Sequence, residues 1–152
     1  MPHWFNTAGP CKPDIHYMLP AAARVAEARP LIEQQAYFVI HAPRQTGKTT
    51  AMTMLARELT ASGRYVAVLL SVEVGAAFNT DPGAAELAIL AEWRNAASMR
   101  LPTDLQPPSW PAETEGQRIR AALQQWAQAA PRPLVLFMDE IDALQDVALI
   151  SV

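Results

Sequence analysis

Three short, nearly uninterrupted apolar stretches are the clearest pattern in this chain. They cover residues 37–41, 65–71 and 134–138. A strand that is apolar throughout is typical of a parallel sheet whose two faces are covered by helices. Segments with apolar residues at helical spacing lie between these stretches. The alternation of strands and helices predicts an α/β fold with a parallel sheet.

Start and stop signals define two of the predicted helices. Residues 48–61 are expected to form one helix, because the Ser62-Gly63 pair that follows is a stop signal. Asp81 is predicted to cap the next helix and Pro82 to begin it. This second helix should run to about residue 100.

The remaining helical segments carry weaker signals. Residues 21–35 predict one helix that is interrupted near Pro30, or two short helices. Thr114 and Gln117 have the spacing of a capping box for a helix that runs to about residue 130. Residues 147–152 predict the first turn of another helix.

Composition and charge narrow the class of protein. The chain has 152 residues, of which 51% are hydrophobic and 18% charged, so a single globular domain with a sizeable core is expected. The net charge of −3 gives no basic footprint, and nucleic-acid binding is therefore not indicated. The single Cys11 excludes an intrachain disulfide and a cysteine zinc cluster, and it fits a cytoplasmic protein. The sequence contains no recognisable targeting segment and no stretch long enough to cross a membrane.

A polar loop before the helix at 48–61 has the form of a phosphate-binding loop. The residues predicted to bind nucleotide are Ala42, Pro43, Arg44, Gln45, Thr46, Gly47, Lys48, Thr49 and Thr50. The N-terminus of a helix offers N–H donors and a positive dipole end to an anion. Gly47 allows close approach of the backbone, Lys48 can reach the terminal phosphates, and the Thr49 hydroxyl can ligate Mg²⁺. Ala42 stands where the usual pattern has its first glycine.

The third predicted strand ends in two acidic residues, Asp139 and Glu140. An apolar strand that closes on Asp-Glu has the form of a Walker B motif. Asp139 is predicted to hold the Mg²⁺ that bridges the phosphates. Glu140 is predicted to be the catalytic residue, which positions or deprotonates the attacking water. Asp142 either joins this site or caps the turn that follows.

With these two motifs the chain resembles the N-terminal part of an additional-strand, catalytic-glutamate P-loop ATPase of the bacterial AAA and STAND type. The resemblance rests on Pro-Arg-Gln-Thr-Gly-Lys-Thr-Thr and on the apolar strand ending in Asp-Glu. It implies a three-layer αβα fold, with residues 1–30 as an N-terminal arm and helix and residues 31–152 as a partial ATPase domain. The implied ligands are ATP and Mg²⁺, and the implied activity is ATP hydrolysis. Protein partners or a homo-oligomer are implied only through regions C-terminal to this sequence.

The resemblance also implies elements that this sequence lacks. Such ATPases have a parallel sheet with strand order 5-1-4-3-2, and the chain supplies strands 1, 2 and 3 only. Strand 4 lies between strands 1 and 3, so its absence leaves either an open slot or a direct pairing of strands 1 and 3. Unpaired backbone groups on apolar strands favour aggregation. We therefore expect the chain to be poorly stable and to hydrolyse ATP weakly or not at all.

Two other functions remain open at this point. A P-loop kinase or GTPase shares the phosphate-binding loop, but the sequence has neither an Asp-x-x-Gly after the third strand nor an Asn/Thr-Lys-x-Asp motif. A non-catalytic interaction protein would use the alanine-rich helices, with Trp93, Trp110 and Trp126 as partner contacts. Tryptophans are on average highly buried, which favours a place in the core for all three.

Overall fold

The computed structural model describes Trp4 and residues 14–17, 25–41 and 46–144. The chain divides into two compact units, residues 1–58 and 59–152. The helices and strands are α1 (Ala28–Glu33), α2 (Lys48–Ala61), β1 (Val66–Ser71), α3 (Pro82–Arg100), α4 (Arg118–Ala129) and β2 (Leu134–Asp139). Short 3₁₀ helices lie at Glu73–Phe78, Thr103–Leu105 and Ile141–Ala143. Loop residues 42–45 and the predicted helical turn at 147–152 lie outside the described residues.

β1 and β2 form a parallel two-stranded sheet. The register pairs Val66 with Leu134 and ends with Ser71 opposite Asp139. These strands are the second and third of the sequence prediction, and they are neighbours as the order 5-1-4-3-2 requires. The α/β class and the parallel sheet are therefore confirmed, in the incomplete form that was expected.

The prediction of a strand at residues 37–41 is wrong. These residues belong to no strand, and within the described chain β2 pairs with β1 alone, so predicted strands 1 and 3 do not pair either. The segment keeps the alternating exposure of a strand, because Tyr37 and Val39 are exposed whereas Phe38 and Ile40 are half-buried. Such side chains favour extended backbone, but a strand also needs a neighbour to bond with, and neither described strand provides one.

One face of the sheet packs against α3 and α4 and forms the core of the second unit. Val66, Val68 and Leu70 alternate along β1, and all three are buried in this core. Leu134 and Leu136 of β2 pack against the same cluster but are only partly buried. The apolar run of β1 is thus fully used for packing, whereas that of β2 is used in part.

The three tryptophans of this unit belong to the core and do not form a partner surface. Trp93 and Trp126 are completely buried. Trp110 packs against them, with its ring centroid 6.0 Å from that of Trp126, and its indole N–H donates to the Leu90 carbonyl at 2.9 Å. The argument for an interaction protein that rested on these tryptophans therefore loses its basis.

The sequence signals at two helix starts have different outcomes. Asp81 caps α3 as predicted, because its carboxylate accepts a hydrogen bond from the Ala84 N–H at 2.9 Å and Pro82 is the first helical residue. Pro30 does not interrupt α1. It is the third residue of that helix, and a proline in the first turn removes no intrahelical hydrogen bond.

The capping box predicted at Thr114 and Gln117 is wrong. Helix α4 begins only at Arg118, and Gln117 makes no side-chain cap. The chain turns at Gly116, whose φ of +82° favours glycine, and the Gly116 N–H donates to the Glu86 carboxylate at 2.8 Å. Glu86 is buried on α3, so a side chain from a distant element fixes the turn that precedes α4.

Candidate nucleotide-binding site

The start of α2 has the backbone form that a phosphate-binding loop needs. Gly47 has a φ of +79°, in the left-handed region, and its carbonyl accepts the hydrogen bond from the Ala51 N–H at 2.9 Å. Lys48, Thr49 and Thr50 are therefore the first turn of the helix. Intrahelical bonding does not use the N–H groups of a first turn, so they point toward any anion that sits at the helix end.

The charges of this first turn favour an anion. It contains no acidic residue, and Lys48 adds a positive charge to the dipole end of α2. Thr46 and Thr49 are exposed, and Lys48 and Thr50 are half-buried. Residues 46–50 thus combine accessibility, backbone donors and one cation at the same helix end.

The backbone conformation changes between the two acidic residues at the end of β2, Asp139 and Glu140. Asp139 is the last residue of the strand and is only 7% exposed. Glu140 is exposed and takes the left-handed conformation, with φ 59° and ψ 31°. The Glu140 N–H donates to the Asp139 carboxylate at 3.1 Å. One acid is therefore held in the sheet, and the next is turned outward.

Two other polar residues, Asp142 and Ser71, lie near the strand ends. Asp142 lies exposed within the 3₁₀ helix Ile141–Ala143, and the chain that follows residue 144 lies outside the described residues, so both alternatives for Asp142 stay predictions. The Ser71 hydroxyl accepts from the Glu73 N–H at 3.1 Å, and the Ser71 carbonyl accepts from the Trp93 indole at 2.9 Å.

The predicted site residues fall into two groups. Thr46, Gly47, Lys48, Thr49 and Thr50 lie together in the first unit. Asp139 and Glu140 lie together in the second. Ala42, Pro43, Arg44 and Gln45 are outside the described residues.

Comparison with protein families connects the two groups along the sequence. Residues 38–148 match the profile of AAA, the ATPase family associated with various cellular activities. The match covers more than two thirds of the chain and includes both motifs. The chain belongs to the AAA family. No curated protein and no solved structure matches it.

Membership in the AAA family supports nucleotide binding and accounts for the parallel sheet. The family is one of ATPases, so ATP is the expected nucleotide. The match does not assign individual residues, and the roles of Lys48, Thr49, Asp139 and Glu140 remain predictions. Within the described part of this AAA chain, no helix is both long enough and apolar enough to cross a membrane.

The left-handed Glu140 is the feature of the site that sequence reasoning missed. Glycine and asparagine are the usual residues in this conformation, and glutamate gives no local signal for it. Non-glycine residues held in this region cost free energy and concentrate at functional sites. The conformation of Glu140 therefore strengthens the case that this acid has a function.

Proposed function

We propose that this AAA chain binds ATP with Mg²⁺ at the N-terminus of α2 and that both motifs act on the same nucleotide. The observation that carries the proposal is the left-handed Gly47 leading into a first turn of Lys48, Thr49 and Thr50. The single family match that spans both motifs supports their joint action. Residues 42–45 complete the proposed cradle on sequence grounds.

The residues proposed to hold Mg²⁺ have suitable chemistry. The Thr49 hydroxyl and the Asp139 carboxylate are hard oxygen donors, which Mg²⁺ prefers. The described residues contain no group of three or more His, Cys, Asp or Glu that could form an all-protein cage. Mg²⁺ in nucleotide sites uses one or two protein ligands and takes the rest from phosphates and water. When bound, the cation would neutralise charge on the phosphates.

Glu140 is proposed to orient the attacking water and accept its proton. It is exposed, and its backbone conformation separates it from the buried Asp139. A carboxylate that acts as a general base must reach a water molecule beside the γ-phosphate. We expect turnover to be slow, because residues 37–41, which lead into the loop, are not held in the sheet and catalysis depends on precise positioning.

The test is nucleotide affinity in a matched pair of variants. Lys48→Ala removes the proposed phosphate contact, and we expect ATP to bind at least tenfold more weakly, since a hydrogen bond to a charged group contributes about 1.5–3 kcal/mol. Arg57→Ala is the control, because Arg57 is an exposed cation on the same helix but far from its N-terminus. Titration of a fluorescent ATP analogue measures both. Unchanged affinity in Lys48→Ala would refute the proposed site.

Several finer features also stay proposals. The likeness to STAND-type bacterial proteins rests on the sequence motifs, and a cytoplasmic location rests on the single Cys11. Association with protein partners or with further copies of the chain is in keeping with the AAA family, whose members often oligomerise.

A further inference from the structure

The short segment that follows β2 is held at both of its ends. Asp139, the last residue of the strand, is 7% exposed, and Leu144 is 1% exposed and belongs to the core of the second unit. Residues 140–142 between them are exposed. The chain therefore leaves the interior at Asp139 and returns to it at Leu144, with Glu140 on the surface between the two.

Leu144 packs against Gly75 and Ile89 with no space to spare. A methyl group at Gly75 would lie 2.9 Å from Leu144 Cδ2 and 2.8 Å from Ile89 Cδ1. Gly75 has no positive φ, so this close packing, and not the backbone conformation, favours glycine there. Ile89 is completely buried. The Leu144 side chain thus occupies a fixed place in a densely packed interior.

The surface on which Leu144 rests is itself bonded to the end of the sheet. The Val72 N–H donates to the Asp139 carbonyl at 3.3 Å, and the Gly75 N–H donates to the Val72 carbonyl at 3.0 Å. Asp139 and Leu144 are therefore connected twice, once along the chain through residues 140–143 and once through Val72 and Gly75. Such a closed ring of contacts restricts the backbone of the segment between its ends.

The restriction falls on Glu140. The Ala143 N–H donates to the Glu140 carbonyl at 3.0 Å, and the Leu144 N–H donates to the Ile141 carbonyl at 3.3 Å, so the segment is a tight 3₁₀ turn. Glu140 joins this turn to the extended strand with φ 59° and ψ 31°. Glutamate does not favour that conformation by itself, and it persists only where the surrounding structure imposes it.

We propose that Leu144 is a positioning residue for Glu140. Its packing against Gly75 and Ile89 holds the turn closed and thereby keeps Glu140 in the left-handed conformation. Leu144 acts through Glu140 and contacts no substrate. Its catalytic consequence rests on the proposed function, in which Glu140 is the base, whereas the hold on the backbone is a property of the chain alone. The two parts can therefore be tested separately.

A double-mutant cycle tests the hold on the backbone. With Leu144 in place, Glu140→Gly should lower the equilibrium constant for unfolding about fivefold, because it relieves the left-handed cost. In a Leu144→Ala background Glu140 can relax, so the same substitution should give no such gain, since only the greater freedom of glycine in the unfolded chain remains. Urea unfolding followed by tryptophan fluorescence measures all four chains. Equal gains in both backgrounds would overturn the proposal.

Two further backgrounds separate this effect from a general loss of packing. Leu105→Ala removes the same volume from the same core, at a residue whose carbonyl accepts from the Trp126 indole, and there the fivefold gain should remain. Leu144→Val removes less of the side chain, so it should leave a folded chain even if Leu144→Ala does not. It should reduce the gain. An undiminished gain with Leu144→Val, or an equal reduction with Leu105→Ala, would contradict the proposal.

Single-turnover phosphate release, measured beside ATP affinity, tests the catalytic consequence. Leu144→Ala should slow release roughly tenfold or more, because catalysis depends on the placement of the base. ATP affinity should stay unchanged, since Lys48 and the first turn of α2 are intact. Leu105→Ala should change neither quantity. A Leu144→Ala chain with the wild-type rate would refute the positioning role.

The two kinds of failure are distinguishable. If the cycle shows coupling but Glu140→Gln still hydrolyses ATP, Glu140 is not the base, and the proposed function fails although Leu144 holds the turn. If Glu140→Gln is inactive but the cycle is additive, the proposed function stands and the inference about Leu144 fails.

Discussion

At the scale of single residues, Glu140 links the stability of the chain to its proposed chemistry. Its left-handed backbone costs an L-residue about 1–2 kcal/mol, and glycine avoids that cost. Such a conformation persists only where the surrounding structure imposes it, here at the turn that follows β2. The same residue is the proposed base for ATP hydrolysis. Stability and activity should therefore respond in opposite directions to one substitution.

Replacement of Glu140 by glycine should stabilise the chain and stop its turnover. Relief of the left-handed cost raises the free energy of unfolding, and the greater conformational entropy of glycine in the unfolded chain lowers it. We expect a net rise of about 1 kcal/mol. Glu140→Gln should leave stability and ATP affinity unchanged while removing hydrolysis. Urea unfolding followed by tryptophan fluorescence and a phosphate-release assay measure the two effects. Asp142→Gly is the control, and a destabilised Glu140→Gly would show that Glu140 is not held in the left-handed region.

At the scale of elements, the end of β1 is bonded to a buried indole. Trp93 is completely buried, and its N–H donates to the Ser71 carbonyl at 2.9 Å. Trp126 is equally buried, but its N–H lies 3.4 Å from the Leu105 carbonyl, which makes a weak bond. Both positions lose a similar volume when tryptophan becomes phenylalanine. The two residues thus form a matched pair that differs mainly in one hydrogen bond.

Trp93→Phe should therefore destabilise the second unit more than Trp126→Phe. A hydrogen bond contributes about 0.5–1.5 kcal/mol net to stability, and we therefore expect the two unfolding free energies to differ by about 1 kcal/mol. Chemical denaturation followed by far-ultraviolet circular dichroism gives both values. Equal losses would mean that packing, and not the bond to Ser71, determines the contribution of Trp93.

The elements that the sequence predicted well are those with local signals. Helix α2 follows Gly47 and ends before Ser62-Gly63, and α3 begins at Asp81-Pro82, so chemistry within a few residues determines their bounds. The strand predicted at residues 37–41 failed because a strand depends on a neighbour elsewhere in the chain. The cap predicted at Thr114 failed for a related reason, since Glu86 reaches the turn from α3. The same holds for the proposed site. The sequence predicted which residue types form it, but it did not predict the left-handed backbone of Glu140.

At the scale of the whole molecule, the two motifs lie in different compact units. Lys48 and Thr49 belong to residues 1–58, and Asp139 and Glu140 to residues 59–152. Trp93, Trp110 and Trp126 lie in the second unit, whereas Trp4 lies in the first. In a Trp4→Phe background, tryptophan fluorescence therefore reports on the second unit alone. This separation allows the joint action of the two motifs to be measured.

ATP with Mg²⁺ should stabilise the second unit if Asp139 takes part in binding. A ligand at one hundred times its dissociation constant stabilises the folded state by about 2.7 kcal/mol, so the thermal midpoint of the Trp4→Phe chain should rise clearly. Asp139→Asn keeps an oxygen that can accept the Glu140 N–H but removes the charge that Mg²⁺ needs, and it should lose the magnesium-dependent part of the shift. Lys48→Ala, which should bind ATP at least tenfold more weakly, should lose about half of the shift or more at the same ATP concentration. If ATP binds but the midpoint of the second unit does not move, the first unit holds the nucleotide alone, and Asp139 and Glu140 have no part in the site.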